Sequence, residues 1–132
     1  MTKGEPTTEE VSAQIGEELL RLHAETYGKG AQRAQVVVCE DVVYCMLDGL
    51  ELLPNEEFMV EAGRGDAVVE LRLTYQQAIE TTFRAAVERA TGRRVVSFAS
   101  ITKLSPNYAV EVFRLGPRKE TPLQEPVADE DP

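Results

Sequence analysis

Several kinds of residue that support common chemistry are scarce in this sequence. It has no tryptophan, one histidine and two cysteines among 132 residues. A structural zinc site usually needs about four His and Cys ligands close together, and the sequence shows no such cluster. The composition therefore predicts neither a metal site nor a cofactor. His23 lies between Glu18 and Glu25 in a helical pattern, and the sequence favours an exposed position for it on that helix.

Long apolar runs are also missing. No run approaches the roughly 18 residues that indicate a membrane-spanning helix. Residues 1–10 are polar and acidic, whereas a secretory signal peptide is basic and then apolar. We therefore expect a cytoplasmic protein without direct membrane insertion, for which any membrane role would go through a partner.

Basic residues are outnumbered. The chain has 14 Lys and Arg against 23 Asp and Glu, which gives a formal net charge of -9 and a pI of about 4.6. This balance argues against binding to nucleic acid or to anionic membrane surfaces, because both attract cationic proteins. It leaves open a protein partner that presents a basic face.

The two cysteines, Cys39 and Cys45, flank a predicted turn at Glu40–Asp41. With a two-residue turn they face opposite sides of a hairpin, and with a three-residue turn they share a side without being directly opposed. Neither register favours a disulfide, so free thiols in a reducing cytosol are expected. The spacing gives no indication of a Cys–His nucleophilic pair, and no other catalytic constellation is visible. The sequence therefore predicts that the protein is not an enzyme.

The longest pattern in the chain predicts a helix between Arg64 and Gly92. Steps of three and four residues relate its apolar positions, as in one stripe of an α-helix. We expect this stripe to be buried; it comprises Val68, Leu71, Tyr75, Ile79, Thr82/Phe83, Ala86/Val87 and Ala90. About 27 helical residues make a rod of roughly 40 Å, which is long for a domain of this size.

Shorter patterns fill the rest of the chain. A first helix is predicted from a cap at Thr7 or Thr8 to about Tyr27, and a short helix from Pro54 to about Ala62. β-Branched runs predict four strands, and Asp48–Gly49 is expected to end the first hairpin. The predicted strands are Gln35–Cys39, Val42–Leu47, Arg94–Ile101 and Tyr108–Leu115.

This order of elements predicts an α+β fold. Two α-β-β units would form a four-stranded antiparallel sheet with helices packed on one face. The first hairpin is apolar on both faces, so we expect a second subunit to cover the other face in a homodimer. The predicted domain spans residues 8–115, between a disordered N-terminus at 1–7 and a disordered, acidic, proline-rich tail at 116–132.

Two glycine-containing loops are candidate anion sites. Gly28–Lys29–Gly30 precedes a strand, and a helix C-cap is the favoured interpretation. Gly63–Arg64–Gly65 precedes the long helix, whose N-terminal amides could hold an anion, although a plain helix–helix corner is favoured. Arg93 and Arg94 lie at the other end of that helix and join this candidate site only if a dimer brings the ends together.

Two isolated acids have simpler interpretations. Asp41 is expected in the hairpin turn. Glu111 is expected either on a solvated face or as the salt-bridge partner of an arginine.

Several segments together resemble the bacterial MpsC-like family over about residues 9–115. They are Tyr27–Gly30, Asp41–Val43, Leu47–Gly49, Leu52–Pro54 with Glu56 or Glu57, Glu61–Gly65, Val87–Glu88, Thr91–Val95 and Ala109–Phe113. The resemblance implies a small component of a system labelled as sodium-translocating and membrane-potential-generating, and it brings no catalytic residues with it. Ala31 stands where the family often has proline, which weakens any site on the first glycine loop. Leu53–Glu56 replaces the family's Thr-Pro-Ala-Glu.

These observations favour a non-enzymatic accessory or regulatory protein that acts by protein contacts, with a membrane transport complex as a candidate partner. The alternative is a small-anion or nucleotide-binding regulatory module that uses Gly63, Arg64 and Gly65, with Arg93 and Arg94.

Overall fold

A computed structural model describes residues 6–118. The described chain contains three helices and four strands, and the α+β prediction is confirmed. The elements are α1 (Thr8–Tyr27), β1 (Ala31–Cys39), β2 (Val42–Leu50), α2 (Pro54–Glu61), α3 (Gly65–Thr91), β3 (Val95–Lys103) and β4 (Tyr108–Leu115).

The strands form one antiparallel sheet in the order β1-β2-β4-β3. Each hairpin contributes its second strand to the centre, so the two α-β-β units meet along β2 and β4. Helices α1 and α3 pack on β1 and β3 and on each other. The inner face of the sheet is the face that they cover, and its centre carries fully buried residues such as Val43, Leu47 and Phe113.

Helix α1 begins and ends as its sequence predicts. The Thr7 hydroxyl accepts a hydrogen bond from the Glu10 amide, and the Glu10 carboxylate accepts one from the Thr7 amide, which is a capping box. Gly28 ends the helix in the left-handed conformation, with a φ of 86°, and its amide bonds to Ala24. The C-cap interpretation of Gly28 is therefore correct. Ile15 and Leu19 anchor the helix in the core.

The predicted stripe of α3 is correct at Val68 and in the second half of the helix, and it is wrong at Leu71 and Tyr75. Phe83, Val87 and Ala90 are buried, as expected. In the first half, however, Leu71 and Tyr75 are exposed, whereas Arg72 and Gln76 are buried. The reason is that this half packs on polar groups of α1, α2 and β4, which bind polar side chains.

The first hairpin is longer than its apolar run. β1 begins at Ala31, and β2 continues through Asp48 and Gly49 to Leu50, so the expected end at Asp48–Gly49 is wrong. Ladder pairing with β1 and β4 extends the strands, and Arg33 forms an ion pair with Asp48 at 2.9 Å. Tertiary pairing therefore overrides the weak strand propensity of this segment.

The turn of this hairpin has two residues. Cys39 pairs with Val42 across Glu40–Asp41, and Glu40 has a φ of 52°. Cys39 is consequently exposed and Cys45 buried on the opposite face, and both are free thiols. The first of the two predicted registers is confirmed.

The predicted terminal disorder falls largely outside the described residues, which exclude 1–5 and 119–132. Within the described part, Thr7 caps α1. The Gly116 amide donates a hydrogen bond of 2.7 Å to the Arg94 carbonyl.

Candidate functional site

A buried ion pair joins α2 to α3. Arg72 donates two hydrogen bonds to Glu56, from Nε to Oε2 at 2.9 Å and from Nη2 to Oε1 at 2.8 Å. Both side chains are almost fully buried. Burial alone would raise the pKa of Glu56, but the hydrogen bonds from Arg72 and from the Leu53 amide lower it below its ordinary value. The pair therefore remains charged and fixes α2 on α3.

Two rings of α1 complete the surroundings of Arg72. Tyr27 lies under the guanidinium, with 4.5 Å between Cζ and the ring centroid, and its hydroxyl donates to the Arg72 carbonyl. His23 packs on Tyr27 with 4.5 Å between ring centroids. Burial raises the pKa of the Tyr27 hydroxyl, so this group remains a neutral donor.

The prediction that His23 lies on the surface is wrong. Its side chain is buried, because α1 rests on α3 at this turn. Burial, aided by the Arg72 charge, lowers its pKa to about 4. His23 is therefore neutral at pH 7, and its Nδ1 has no hydrogen-bond partner among the described residues.

Glu111 is neither on a solvated face nor paired with an arginine, so both expectations for it are wrong. It lies on the inner face of β4, fully buried, and accepts a hydrogen bond from Gln76 Nε2 to Oε2 at 3.0 Å. Burial raises its pKa to about 7. The polar cluster is the set of His23, Tyr27, Glu56, Arg72, Gln76 and Glu111.

The sequence does contain a signal for part of this cluster. Counting back from Phe83 by seven and then four residues gives Gln76 and Arg72, which stay in phase with the buried apolar positions. The predicted apolar stripe instead runs through Leu71 and Tyr75. The prediction followed the apolar side chains. The helical period, in contrast, indicates that the polar residues Arg72 and Gln76 are buried.

The chemistry of the polar cluster suits fixing the helices in place better than it suits reacting with a substrate. The Arg72 and Glu56 charges satisfy each other inside the fold. Cys45 lies next to Glu111 in the sheet register, and burial, with a contribution from the Glu111 charge, raises its pKa to about 12. A protonated, buried thiol is a poor nucleophile.

The outer face of the sheet, opposite the helices, is the second candidate site. Two rows of cross-strand neighbours run over all four strands. One row is Val37, Tyr44, Val112 and Ala99, and the other is Gln35, Met46, Val110 and Ile101. We call these eight residues, of which Gln35 is the one polar member, the apolar rows; Val37, Tyr44, Met46 and Ile101 among them are exposed. The prediction that this hairpin face is apolar is confirmed.

The rows that border the apolar rows are largely polar, although one of them contains Cys39 and Val42. Arg33, Asp48, Tyr108 and Lys103 occupy the next row on one side, and Cys39, Val42, Arg114 and Ser97 occupy the next row on the other. An apolar centre with a polar rim is the usual anatomy of a protein–protein interface.

The candidate anion residues lie at opposite ends of α3. Gly63, with a φ of 81°, and Arg64 precede its first turn. Arg64 is exposed and its Nε bonds to Asp66 at 3.2 Å. Arg94 is exposed at the far end of the helix. One chain therefore does not bring Arg64 and Arg94 together.

Arg93 is occupied by contacts within the fold. Its Nε donates to the Gly116 carbonyl at 3.2 Å, its Nη1 to the Glu40 carbonyl at 3.0 Å, and its Nη2 to Asp41 at 2.6 Å. Asp41 is in the turn, as predicted. A groove of about 650 Å³ lies beside Arg93, and Arg89 and Arg118 also line it.

Residues 6–118 contain neither a cluster of metal ligands nor a membrane-spanning helix. No group of three or more His, Cys, Asp or Glu residues in that range could hold a metal ion. No helix in the same range is long and apolar enough to cross a membrane.

Comparison with known proteins gives one clear result. Searches of curated proteins and of solved structures returned no significant match. A family model described as "Na+-translocating membrane potential-generating system (MpsC)" matches residues 7–116, which span both α-β-β units. The chain therefore belongs to the MpsC family.

Proposed function

We propose that this protein is a cytoplasmic, non-enzymatic accessory protein that acts by protein contacts through the outer face of its sheet. The observation that carries the proposal is the pair of apolar rows, which run over all four strands and present exposed Val, Tyr, Met and Ile side chains on β1, β2 and β3. Apolar surface of this extent on one face is typical of an interaction site.

A second copy of the chain is the first partner we propose. Sheets pack face to face at about 10 Å, and their inner side chains interdigitate. Tyr44 and Met46 stand on the central strand β2, with Val110 and Val112 beside them on β4. A two-fold axis through this centre would bury the apolar rows of both copies and leave the polar border at the rim.

The family description supports a second contact, with a membrane transport complex. Because no helix within residues 6–118 could span a membrane, this part of the chain would join such a complex by binding to another subunit. We propose the same apolar rows as the contact surface for that subunit. It would either replace the second copy of the chain or bind at the edge of the dimer.

The polar cluster supports a role without catalysis. Its Arg72 and Glu56 charges are paired, its histidine is neutral, and its thiol neighbour is protonated at pH 7. These groups stabilise the domain that presents the outer face.

Sedimentation velocity over a range of concentrations tests the dimer. Tyr44→Lys places a charge in the centre of the apolar rows, and we expect it to convert a dimer into a monomer with an unchanged circular dichroism spectrum. Leu71→Lys is the matched control, because Leu71 and Tyr44 are both 46% exposed. A wild-type monomer at all concentrations would contradict the homodimer.

Affinity capture from detergent-solubilised membranes of the source cells tests the transport partner. We expect a multi-spanning transport subunit to be retained by the wild type and by Leu71→Lys, and lost with Tyr44→Lys. Equal recovery with all three proteins would argue against the outer face as the contact.

Anion or nucleotide binding is the second candidate function. It is favoured by Arg64, whose exposed guanidinium stands beside Gly63 at the start of α3, where helix amides attract anions. We expect phosphate or ATP to raise the Tm of the wild type and not of Arg64→Ala. Arg94→Ala then tests whether the other end of α3 takes part. An unchanged Tm with both ligands would remove this candidate.

A further inference from the structure

The contact between Gln76 and Glu111 leaves one buried oxygen of each side chain without a hydrogen-bond partner among the described residues, and the proposed function does not account for this. Only one hydrogen bond joins the two side chains, from Gln76 Nε2 to Glu111 Oε2. The other oxygen of each, Gln76 Oε1 and Glu111 Oε1, is buried and has no hydrogen-bond partner among the described residues. A carboxylate offers only acceptors, whereas a neutral carboxyl carries a hydrogen that it can donate to such an oxygen.

The groups around Glu111 do not supply a counter-charge. On the flanking strands, its register partners are the Cys45 thiol and the Ser100 hydroxyl. On the helices, the charged and titratable groups of the cluster are Arg72, Glu56, His23 and Tyr27. Arg72 is the cation among them. Its Nε and Nη2 are bonded to Glu56, and its Nη1 makes no hydrogen bond to Glu111 or to any other described group.

We propose that Glu111 is a proton-controlled clasp: as the neutral acid it holds the first half of α3 on the sheet, and on losing its proton it loosens that half of the helix together with α2. The neutral acid can donate its hydrogen to the neighbouring Ser100 hydroxyl, which is buried and has no hydrogen-bond partner among the described residues. The carboxylate places an unpaired negative charge under α3, which favours any opening that admits water.

The direction of titration agrees with this geometry. Burial raises the pKa of Glu111 from 4.5 to about 7, while the hydrogen bond from Gln76 and the neighbouring Ser100 hydroxyl oppose the rise. Between these two values the folded protein binds a proton that the unfolded chain has lost. The stability contributed by Glu111 is therefore fully present below pH 4.5 and is lost as pH rises through about 7.

Movement would be confined to one part of the molecule. α2 packs chiefly on α3, and Arg72 links the two helices, so they would loosen together. The second half of α3 is held by Phe83 and Val87 in the apolar core and would stay in place. The clasp would thus couple pH to the position of α2 without unfolding the sheet.

Hydrogen–deuterium exchange of the full chain at about pH 6 and about pH 8, corrected for intrinsic exchange rates, tests the proposal. We expect protection of α2 and of residues 68–80 to fall by about tenfold or more at the higher pH, with residues 83–90 unchanged. Glu111→Gln keeps the shape and remains neutral, so its protection should not depend on pH. Glu70→Gln, at an exposed position on α3, should behave as the wild type.

A direct titration keeps the test decisive if Glu111→Gln does not fold. The side-chain carboxyl of Glu111 in the wild-type protein can be followed by carbon-13 NMR. We expect a midpoint near 7, well above the ordinary glutamate value of 4.5. A midpoint at the ordinary value for glutamate, or an equal loss of protection along the whole of α3, would overturn the proposal.

Discussion

The two halves of α3 bury different kinds of side chain although they belong to one continuous helix. The second half packs Phe83, Ala86 and Val87 into an apolar core, whereas after Val68 the first half buries Arg72 and Gln76. The partners explain the difference, because the second half meets the apolar centre of the sheet and the first meets Glu56, Tyr27 and Glu111. Burial along a helix thus follows the polarity of what it covers.

The largest expected effect comes from the apolar half. Phe83→Ala should lower the free energy of unfolding by about 4 kcal/mol, because it removes a fully buried ring and leaves a cavity. Urea denaturation measures the loss. Phe58→Ala is the control of the same residue type: Phe58 is 68% exposed, and its removal should cost less than about 1 kcal/mol. Similar losses for both variants would show that the core is placed incorrectly.

Breaking the Arg72–Glu56 ion pair in the first half of α3 should lower the free energy of unfolding somewhat less. Arg72→Met leaves the Glu56 carboxylate buried without its cation, and we expect a loss of about 3 kcal/mol. Adding Glu56→Leu removes that stranded charge, so the double variant should recover part of the loss. A double-mutant cycle in urea measures the coupling. Purely additive losses would mean that the two side chains do not act as a pair.

Two buried groups, His23 and Glu111, should shift stability in opposite directions as the pH changes between 4 and 7. The unfolded chain binds a proton on His23 between pH 4 and pH 6.5 that the folded state excludes. His23 therefore adds stability as pH rises through this window, whereas Glu111 loses it between pH 4.5 and about 7. We expect the free energy of unfolding of Glu111→Gln to rise by roughly 1–2 kcal/mol from pH 4.5 to pH 6.5. The free energy of unfolding of the wild type should change little over the same range. Urea denaturation at both pH values measures these changes. An equal change in the free energy of unfolding for the two proteins would contradict opposite contributions from His23 and Glu111.

His23→Gln is the complementary variant for this comparison. Removing the histidine leaves Glu111 as the main group whose pKa changes on folding in this window, so stability should fall as pH rises across it. Glu17→Gln, at an exposed position of α1, serves as the control and should follow the wild type.

The smallest effect is expected at the apolar position that the sequence wrongly placed in the core. Leu71→Ala should change the free energy of unfolding by less than about 0.5 kcal/mol, because Leu71 is exposed on the far side of α3 from Gln76. Urea denaturation again measures it. A loss of 2 kcal/mol or more, as for a buried leucine, would restore the original stripe and weaken the polar interpretation of this half.

The sequence supported the fold better than it supported the polar cluster. Period and caps located all three helices and both hairpins, because Thr7, Gly28 and Gly92 mark helix ends by local chemistry. Burial of His23 and Glu111 could not be predicted in the same way, since it depends on contacts between distant segments. The apolar outer face is predictable from the sequence, because the residues of one strand that share a face are set by local geometry.

The contacts of Arg93 have a consequence for the order of folding. This one side chain touches the turn of the first hairpin at Glu40 and Asp41 and the end of the second at Gly116, residues separated from it by 53, 52 and 23 positions. Contacts of such long range form only after both hairpins have reached their places. We expect Arg93 to be bound late during folding, as the step that joins the two units. Variants at this position should then speed unfolding and leave the folding rate nearly unchanged.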